Sequence, residues 1–279
     1  MNTDSTWSHL LRTGTFVGLL LGLFTILGSF LLEGGTLEAL FAVAPITIVV
    51  GGTIAAGIIG SSLDRMAQIP RLIAIAMLPT KYDTRALIYQ IVNFSVLARR
   101  DGIIAIEKHL TRVEHPFMRK MFQVAIDGAD PDALRNVAET ELEFVSERHN
   151  SNIQMFIKLG GYSPTMGIIG TVMGLIMVLG SAGDDPATLI RHIASAFIAT
   201  MWGILMANIV WLPIGDKLQS LHDEEYRLMR IIIEGVMGVQ MGETPSVIRA
   251  RLAGALPGDE QEAILKAPLP RSFVVARDN

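Results

Sequence analysis

The sequence predicts an all-α integral membrane protein, with four transmembrane helices and a large cytoplasmic helical insertion between the second and third. Half of the 279 residues are hydrophobic and only 18% are charged, a balance too apolar for an ordinary soluble domain of this length. Four stretches, 13–32, 39–63, 159–183 and 192–215, contain no Asp, Glu, Lys or Arg, and each reaches the roughly 20 residues that a helix needs to cross a bilayer. Buried helices of a soluble core seldom provide four such runs in one domain.

The first stretch, 13–32, is too long for a signal-peptide core and lacks a basic leader and a small-residue cleavage site, so it is expected to be a retained helix. Between Glu33 and Glu38, before the second stretch at 39–63, there is no basic residue. Residues 64–158 form the insertion. It is rich in Lys and Arg and far longer than a simple connection, which predicts structure of its own. Within it, Asp83-Thr84 signals a helix start before the amphipathic run Ala86 to Ala98, and Asp101-Gly102 breaks that run. Asp130-Pro131 is an N-cap followed by proline at the first helical position, opening a helix that continues into the third span at 159–183. The connection at Asp184-Asp185-Pro186 is acidic, with only Arg191 at its far end before the fourth span at 192–215. Residues 216–279 are expected to carry a helix from Asp216 through Met237 and a loose tail from Gly254. Because basic residues stay on the cytoplasmic side of short connections, both termini are placed inside.

A net charge of −4 distributed in blocks suggests neither a nucleic-acid footprint nor a polyacidic tail. Cysteine is absent, which removes disulfides, cysteine-ligated metals and thiol nucleophiles together. No metalloprotease, P-loop, nucleophile-elbow or dinucleotide motif is present. His9, His109, His115, His149, His192 and His222 are scattered without ligand spacing and read as surface residues. The sequence therefore argues against an enzyme and implies no cofactor or resident metal.

Small residues recur at helical spacing in every span. Gly14, Gly18 and Gly22 share a face, as do Gly52, Ala56 and Gly60. Pro164, Gly167, Thr171 and Gly174 form a third stripe, and Ala196, Thr200, Gly203 and Ala207 a fourth. Such stripes let helices approach closely in lipid, with threonine bonding its own helix backbone. The alternative is a polar lining for an ion or a partner helix. An ion pathway usually needs a titrating group, and no Asp, Glu, Lys or Arg lies deep in any span. Either the chain conducts nothing, or a second protein provides that group.

The run GYSPTMGIIGTVMG at 161–174 resembles the third-span signature of the MotA family, and ATMWGILMANIVWLPIGDK at 199–217 resembles its fourth. ARRDGIIAIE at 98–107 is similar to the family's rotor-facing motif, and EGVMGVQMGE at 234–243 to its post-membrane helix. Two spans precede the insertion here, as in MotA, whereas the related ExbB and TolQ proteins place one. Departures occur at Tyr162-Ser163, Trp202 and Trp211.

The resemblance implies a homopentamer in the bacterial inner membrane around a dimer of a MotB- or PomB-like single-span subunit, whose membrane aspartate is the missing carboxylate. It further implies that Pro164 and Pro213 couple ion passage to movement, that Thr171 and Thr200 face the partner on the small surface containing Gly167, Gly174 and Gly203, and that Arg99 and Glu107 engage the rotor protein FliG, with Arg100 as the alternative to Arg99. The transported ion is H+ or Na+. Sodium-driven relatives such as PomA also carry threonines at the two positions, and hydroxyl oxygens are suitable ligands for partly dehydrated sodium. Two other readings stay open: a MotA-like energiser of a gliding or envelope machine, and a passive membrane scaffold.

Overall fold

The computed structural model describes residues 3–80, 82–181 and 185–268, with side chains from residue 14 onward apart from Ala39. All regular structure among the described residues is helical. The chain divides into two compact units, Met1–Thr80 with Arg148–Leu221, and Lys81–Glu147 with His222–Asn279.

The first unit contains the long apolar helices. Helix α1 is Thr3–Leu32, followed by the short α2 at Leu37–Leu40 and by α3 at Val43–Gly60. The second predicted span is thus not one helix. It is interrupted after Leu40, and α3 restarts two residues before Pro45, where a missing N–H costs least. The indole N–H of Trp202 holds the interruption by donating to the Leu40 carbonyl at 2.7 Å. A π-helical turn follows at Thr47–Gly51. Two short helices, α4 at Leu63–Met66 and α5 at Ile69–Met77, then bury Met66, Leu72 and Ala76 with Ile153, Phe156, Leu159 and Ile214.

Helix α8, Pro131–Gly180, provides the third span, and α9, Pro186–Gln240, the fourth. The third span ends at Gly180, and residues 182–184 lie outside the described residues, so the expectations for Gly183 and Asp184 cannot be placed. The fourth begins at Pro186, six positions before the charge-free run, because Asp185 caps it. One carboxylate oxygen accepts from the Ala187 N–H at 2.6 Å and the other from the Thr188 hydroxyl at 3.0 Å. These bonds hold the Asp185 carboxyl below its ordinary range. Among the described residues, four helices are long and apolar enough to cross a membrane. Their outward faces remain apolar and open, as at Phe24 and Leu179, which suits hydrocarbon and not water.

The second unit is a helical domain with its own core. Helix α6 is Thr84–Asp101, capped by the Asp83 carboxylate, which accepts from the N–H groups of Arg85 at 2.9 Å and Ala86 at 3.3 Å. Gly102, at φ +85°, ends it in a conformation that side chains other than glycine's rarely adopt. A 3-10 segment follows at Ile103–Arg112, then α7 at Pro116–Ile126. Phe94 on α6 meets Phe122 on α7 edge-on at 5.0 Å, amid Ile88, Ile91, Met118 and Ile232.

The tail differs from expectation. Helix α10 is Pro245–Ala253, and α11, Gly258–Lys266, forms where a loose tail was predicted. Its acidic first turn, Asp259 and Glu260, suits the positive end of a helix, and Ile264 is buried against the core. Arg249 also donates to the Ala267 carbonyl at 2.5 Å. Residues 269–279 lie outside the described residues.

Two histidines read as surface residues are buried. His222 lies 6.0 Å from the ring of Tyr226, and His115 lies 4.5 Å from that of Tyr82. An imidazole beside an aromatic ring behaves as an apolar body with a polar edge, which sequence spacing does not reveal. The side chain of His9 is outside the described residues.

Burial pushes the His115 imidazole below its ordinary pKa. The unfolded chain therefore takes up a proton that the folded chain refuses once pH drops below about 6.5. Thermal unfolding of the purified chain is expected to shift to lower temperature between about pH 7 and pH 5.5, and His115→Phe to remove part of that slope. An unchanged slope in the variant would contradict this role for His115. Phe122→Ala is expected to cost about 3–5 kcal/mol, read as a lower unfolding midpoint at neutral pH.

Candidate functional site

The site is built where α8 and α9 touch through small residues. A Cβ on Gly203 would lie 2.8 Å from the Ser163 carbonyl oxygen and 3.0 Å from the Gly167 Cα. On Gly167 it would lie 3.0 Å from the Ala199 carbonyl oxygen, and on Gly174 2.7 Å from the Ala196 Cβ. Backbone therefore meets backbone, as small-residue stripes permit in lipid.

This proximity brings Thr171 and Thr200 together. Their hydroxyls are hydrogen-bonded to each other and half-buried. The Thr171 hydroxyl also lies 3.1 Å from the Gly167 carbonyl oxygen on its own helix and 3.2 Å from that of Ala196 on α9. A hydroxyl has one proton to donate, so it can satisfy only one of these three acceptors at a time. The pair is thus a small switchable dipole with spare lone pairs, in a region whose sequence contains no charged side chain.

Pro164 stands inside α8, one position before Thr165 and three before Gly167. Lacking an N–H, it leaves the Gly160 carbonyl without its usual helical donor. Pro213 is different. It lies thirteen residues beyond Thr200 on α9, about 20 Å along the axis, and is not part of the threonine contact. Immediately before it α9 forms a π-helical turn, Met206–Trp211, in which the Leu212 N–H donates to the Ala207 carbonyl. That widened turn shifts the hydrogen-bond register where proline would otherwise collide with a carbonyl.

Sequence reasoning missed Ser163. It is fully buried on the Gly167 and Thr171 stripe, and its hydroxyl has no hydrogen-bond partner among the described residues. The available signal was its position four residues before Gly167. Thr53 on α3, also fully buried, is a less informative omission, because its hydroxyl donates to the Val49 carbonyl of its own helix at 2.6 Å.

The charged candidates lie in the second unit. Arg100 forms a two-point pair with Asp101, at 2.6 and 2.9 Å, and that pair raises the arginine's pKa and lowers the aspartate's. Arg99 donates to the neutral Gly242 carbonyl at 3.0 Å, so its charge is positioned but not compensated. Glu107 is exposed on the 3-10 segment and makes no ion pair among the described residues. Arg99 and Glu107 are therefore the uncompensated members of the motif.

The chain is similar over most of its length to proteins of one family. Residues 16–100 match the motility protein A N-terminal family, and residues 109–231 match the MotA/TolQ/ExbB proton channel family. Motility protein A of Bacillus subtilis is 31% identical over 88% of this chain and 92% of its own length. The chain belongs to the MotA family. Chemotaxis protein PomA of Vibrio alginolyticus is also 31% identical, over 87% of this chain and 94% of its own. The fold agrees with the flagellar MotAB stator complex from Bacillus subtilis at a TM-score of 0.84 and 30% identity, covering 90% of this chain and 98% of that one. It also agrees with C. jejuni MotAB at 0.83 and 25% identity, over 88% and 96%. Both fold and topology of the insertion are those of this family.

The α8–α9 contact makes a direct prediction. Gly203→Val forces a side chain into space held by backbone and should destabilise the folded chain by about 1–3 kcal/mol or more. Thermal unfolding of the purified protein would read this as a lower midpoint, and an unchanged midpoint would show that the contact is not tight.

Proposed function

We propose that this chain is the ion-conducting subunit of a flagellar motor stator, working with a MotB- or PomB-like single-span partner that contributes a membrane aspartate. The observation that carries this reading is the pair of threonine hydroxyls on a small, carboxylate-free face, in a chain of the MotA family whose solved relatives are MotAB complexes. A partner carboxylate seated against that face could accept from one hydroxyl while the other offers a lone pair to the ion. Each exchange needs Thr171 only to release one of its three acceptors for another.

In this proposal five copies surround two partner helices in the bacterial inner membrane, with both termini in the cytoplasm, as the distribution of Lys and Arg implies. A monovalent ion crossing the membrane releases about 2.3 kcal/mol per 100 mV, enough to shift which of five equivalent faces the partner prefers. Pro164 and the π-turn before Pro213 mark where α8 and α9 have weakened backbone bonding and can bend. Arg99 and Glu107, the uncompensated charges, would transmit the step to the rotor protein FliG. Arg100, already paired with Asp101, is the poorer candidate.

The test is swimming of cells that depend on this chain and its partner, with sodium removed at fixed pH and, separately, with a protonophore added at fixed sodium. Loss on sodium removal assigns a sodium stator; loss only with the protonophore assigns a proton stator. Indifference to both would contradict the reading. Removing one hydroxyl from the ion's surroundings with Thr171→Val should weaken ion occupancy by about ten- to a hundredfold, the equivalent of one charge-assisted hydrogen bond. Thr171→Ser should retain most of it. Reversing Arg99 to Glu should abolish torque while leaving ion flux, and the further change Glu107→Arg should restore part of the torque.

A further inference from the structure

Within one chain the Gly14, Gly18 and Gly22 stripe of α1 packs against α9 only at Gly22. A Cβ on Gly22 would meet the Ile209 Cδ1 at 3.1 Å, whereas at Gly14 and at Gly18 it would meet nothing within 4 Å. Helices α1 and α9 therefore touch at Gly22 and Ile209 and leave a gap toward the Gly14 end. That gap is an open cleft of about 580 Å³. The cleft runs from Leu19 and Ile209 at its apolar end to Asp216, Lys217 and Ser220 at the other. From Ile209 to Ser220 the helical rise is about 16 Å.

The two ends of the cleft differ in chemistry. At the polar end Asp216 and Lys217 present one carboxylate and one ammonium, and neither side chain forms an ion pair among the described residues. At the apolar end Leu19 and Ile209 offer dispersion contacts to a hydrocarbon chain. A suitable occupant carries an apolar chain and a head group with one negative and one positive charge, the latter with N–H donors for Asp216.

We propose that this cleft binds one phospholipid of the ethanolamine class, with its phosphate at Lys217, its ammonium at Asp216 and an acyl chain along Gly18, Leu19 and Ile209. The site rests on the reading that α1 and α9 cross a bilayer. A glycerol head group would satisfy Lys217 but offer no cation to Asp216, and its net charge would be repelled there. A choline head group has the charge but no N–H to donate.

The test uses the purified complex of this chain with its partner, stripped of lipid and titrated with dioleoyl phosphatidylethanolamine or dioleoyl phosphatidylglycerol, with bound lipid counted by native mass spectrometry. The ethanolamine lipid is expected to bind about fivefold more tightly. Asp216→Asn should erase that preference, Lys217→Gln should weaken both lipids, and Gly18→Leu should fill the cleft and weaken both by about tenfold. Asp216→Asn changes no side-chain volume to speak of and keeps the test decisive if Gly18→Leu fails to fold. Equal binding of both lipids to the unaltered complex, or a preference that survives Asp216→Asn, overturns the site. Swimming is measured separately. A complex that drives motility without lipid preference defeats the lipid site alone, and one with the preference but no ion-dependent motility defeats the stator reading alone.

Discussion

Backbone contact between α8 and α9 depends on residues that have almost no side chain, and the site follows from that contact. With Gly203 against the Ser163 carbonyl and Gly167 against the Ala199 carbonyl, any larger residue on this seam would separate the helices. Separation would pull apart the Thr171 and Thr200 hydroxyls, whose mutual hydrogen bond needs the two helices at this spacing. In hydrocarbon, polar groups without partners are costly, so a hydroxyl pair that bonds across the seam and back to its own helices is stable in the resting state and still able to exchange acceptors. In the proposed stator the absence of a charge on this face fits the same design: a permanent carboxylate here would compete with one brought in by a partner.

Around this rigid contact the two helices carry local weaknesses. Pro164 removes one hydrogen bond from α8 at the Ser163 end of the seam, and α9 loosens into a π-turn just before Pro213. A helix weakened at a defined point bends there and remains straight elsewhere, and the proposed coupling uses this to turn a small rearrangement at a hydroxyl pair into displacement of a long helix. Unit two, with its own core around Phe94 and Phe122, provides a stiff body on which Arg99 and Glu107 are displayed. Arg99 is held by a neutral carbonyl and Arg100 by an acid, so two adjacent arginines have different electrostatic availability.

Local signals made much of this legible in the sequence. Asp83 caps α6, Gly102 ends it in a left-handed conformation, and Asp130-Pro131 opens α8, each because a specific backbone group needs that residue type. The α8 and α9 stripes predicted which faces meet. Less was readable where tertiary contact decides. The break after Leu40 depends on a hydrogen bond from Trp202, far away in sequence. Helix α11 depends on burial of Ile264, which its polar composition conceals. Within one chain the Gly14 and Gly18 stripe borders a gap beside α9, because periodicity shows which face is small and not what lies beside it.

In the proposed stator the small face of α8 and α9 seats a partner helix with its carboxylate beside the threonine pair. Cysteine cross-linking in membranes tests it most directly, pairing Thr200→Cys in this chain with a cysteine placed one helical turn from the partner's membrane aspartate, and using Phe24→Cys on the open face of α1 as the comparison. Efficient linkage at position 200 and none at position 24 is expected; equal linkage at both, or linkage at 24 alone, would show that the partner helix does not sit on the threonine face.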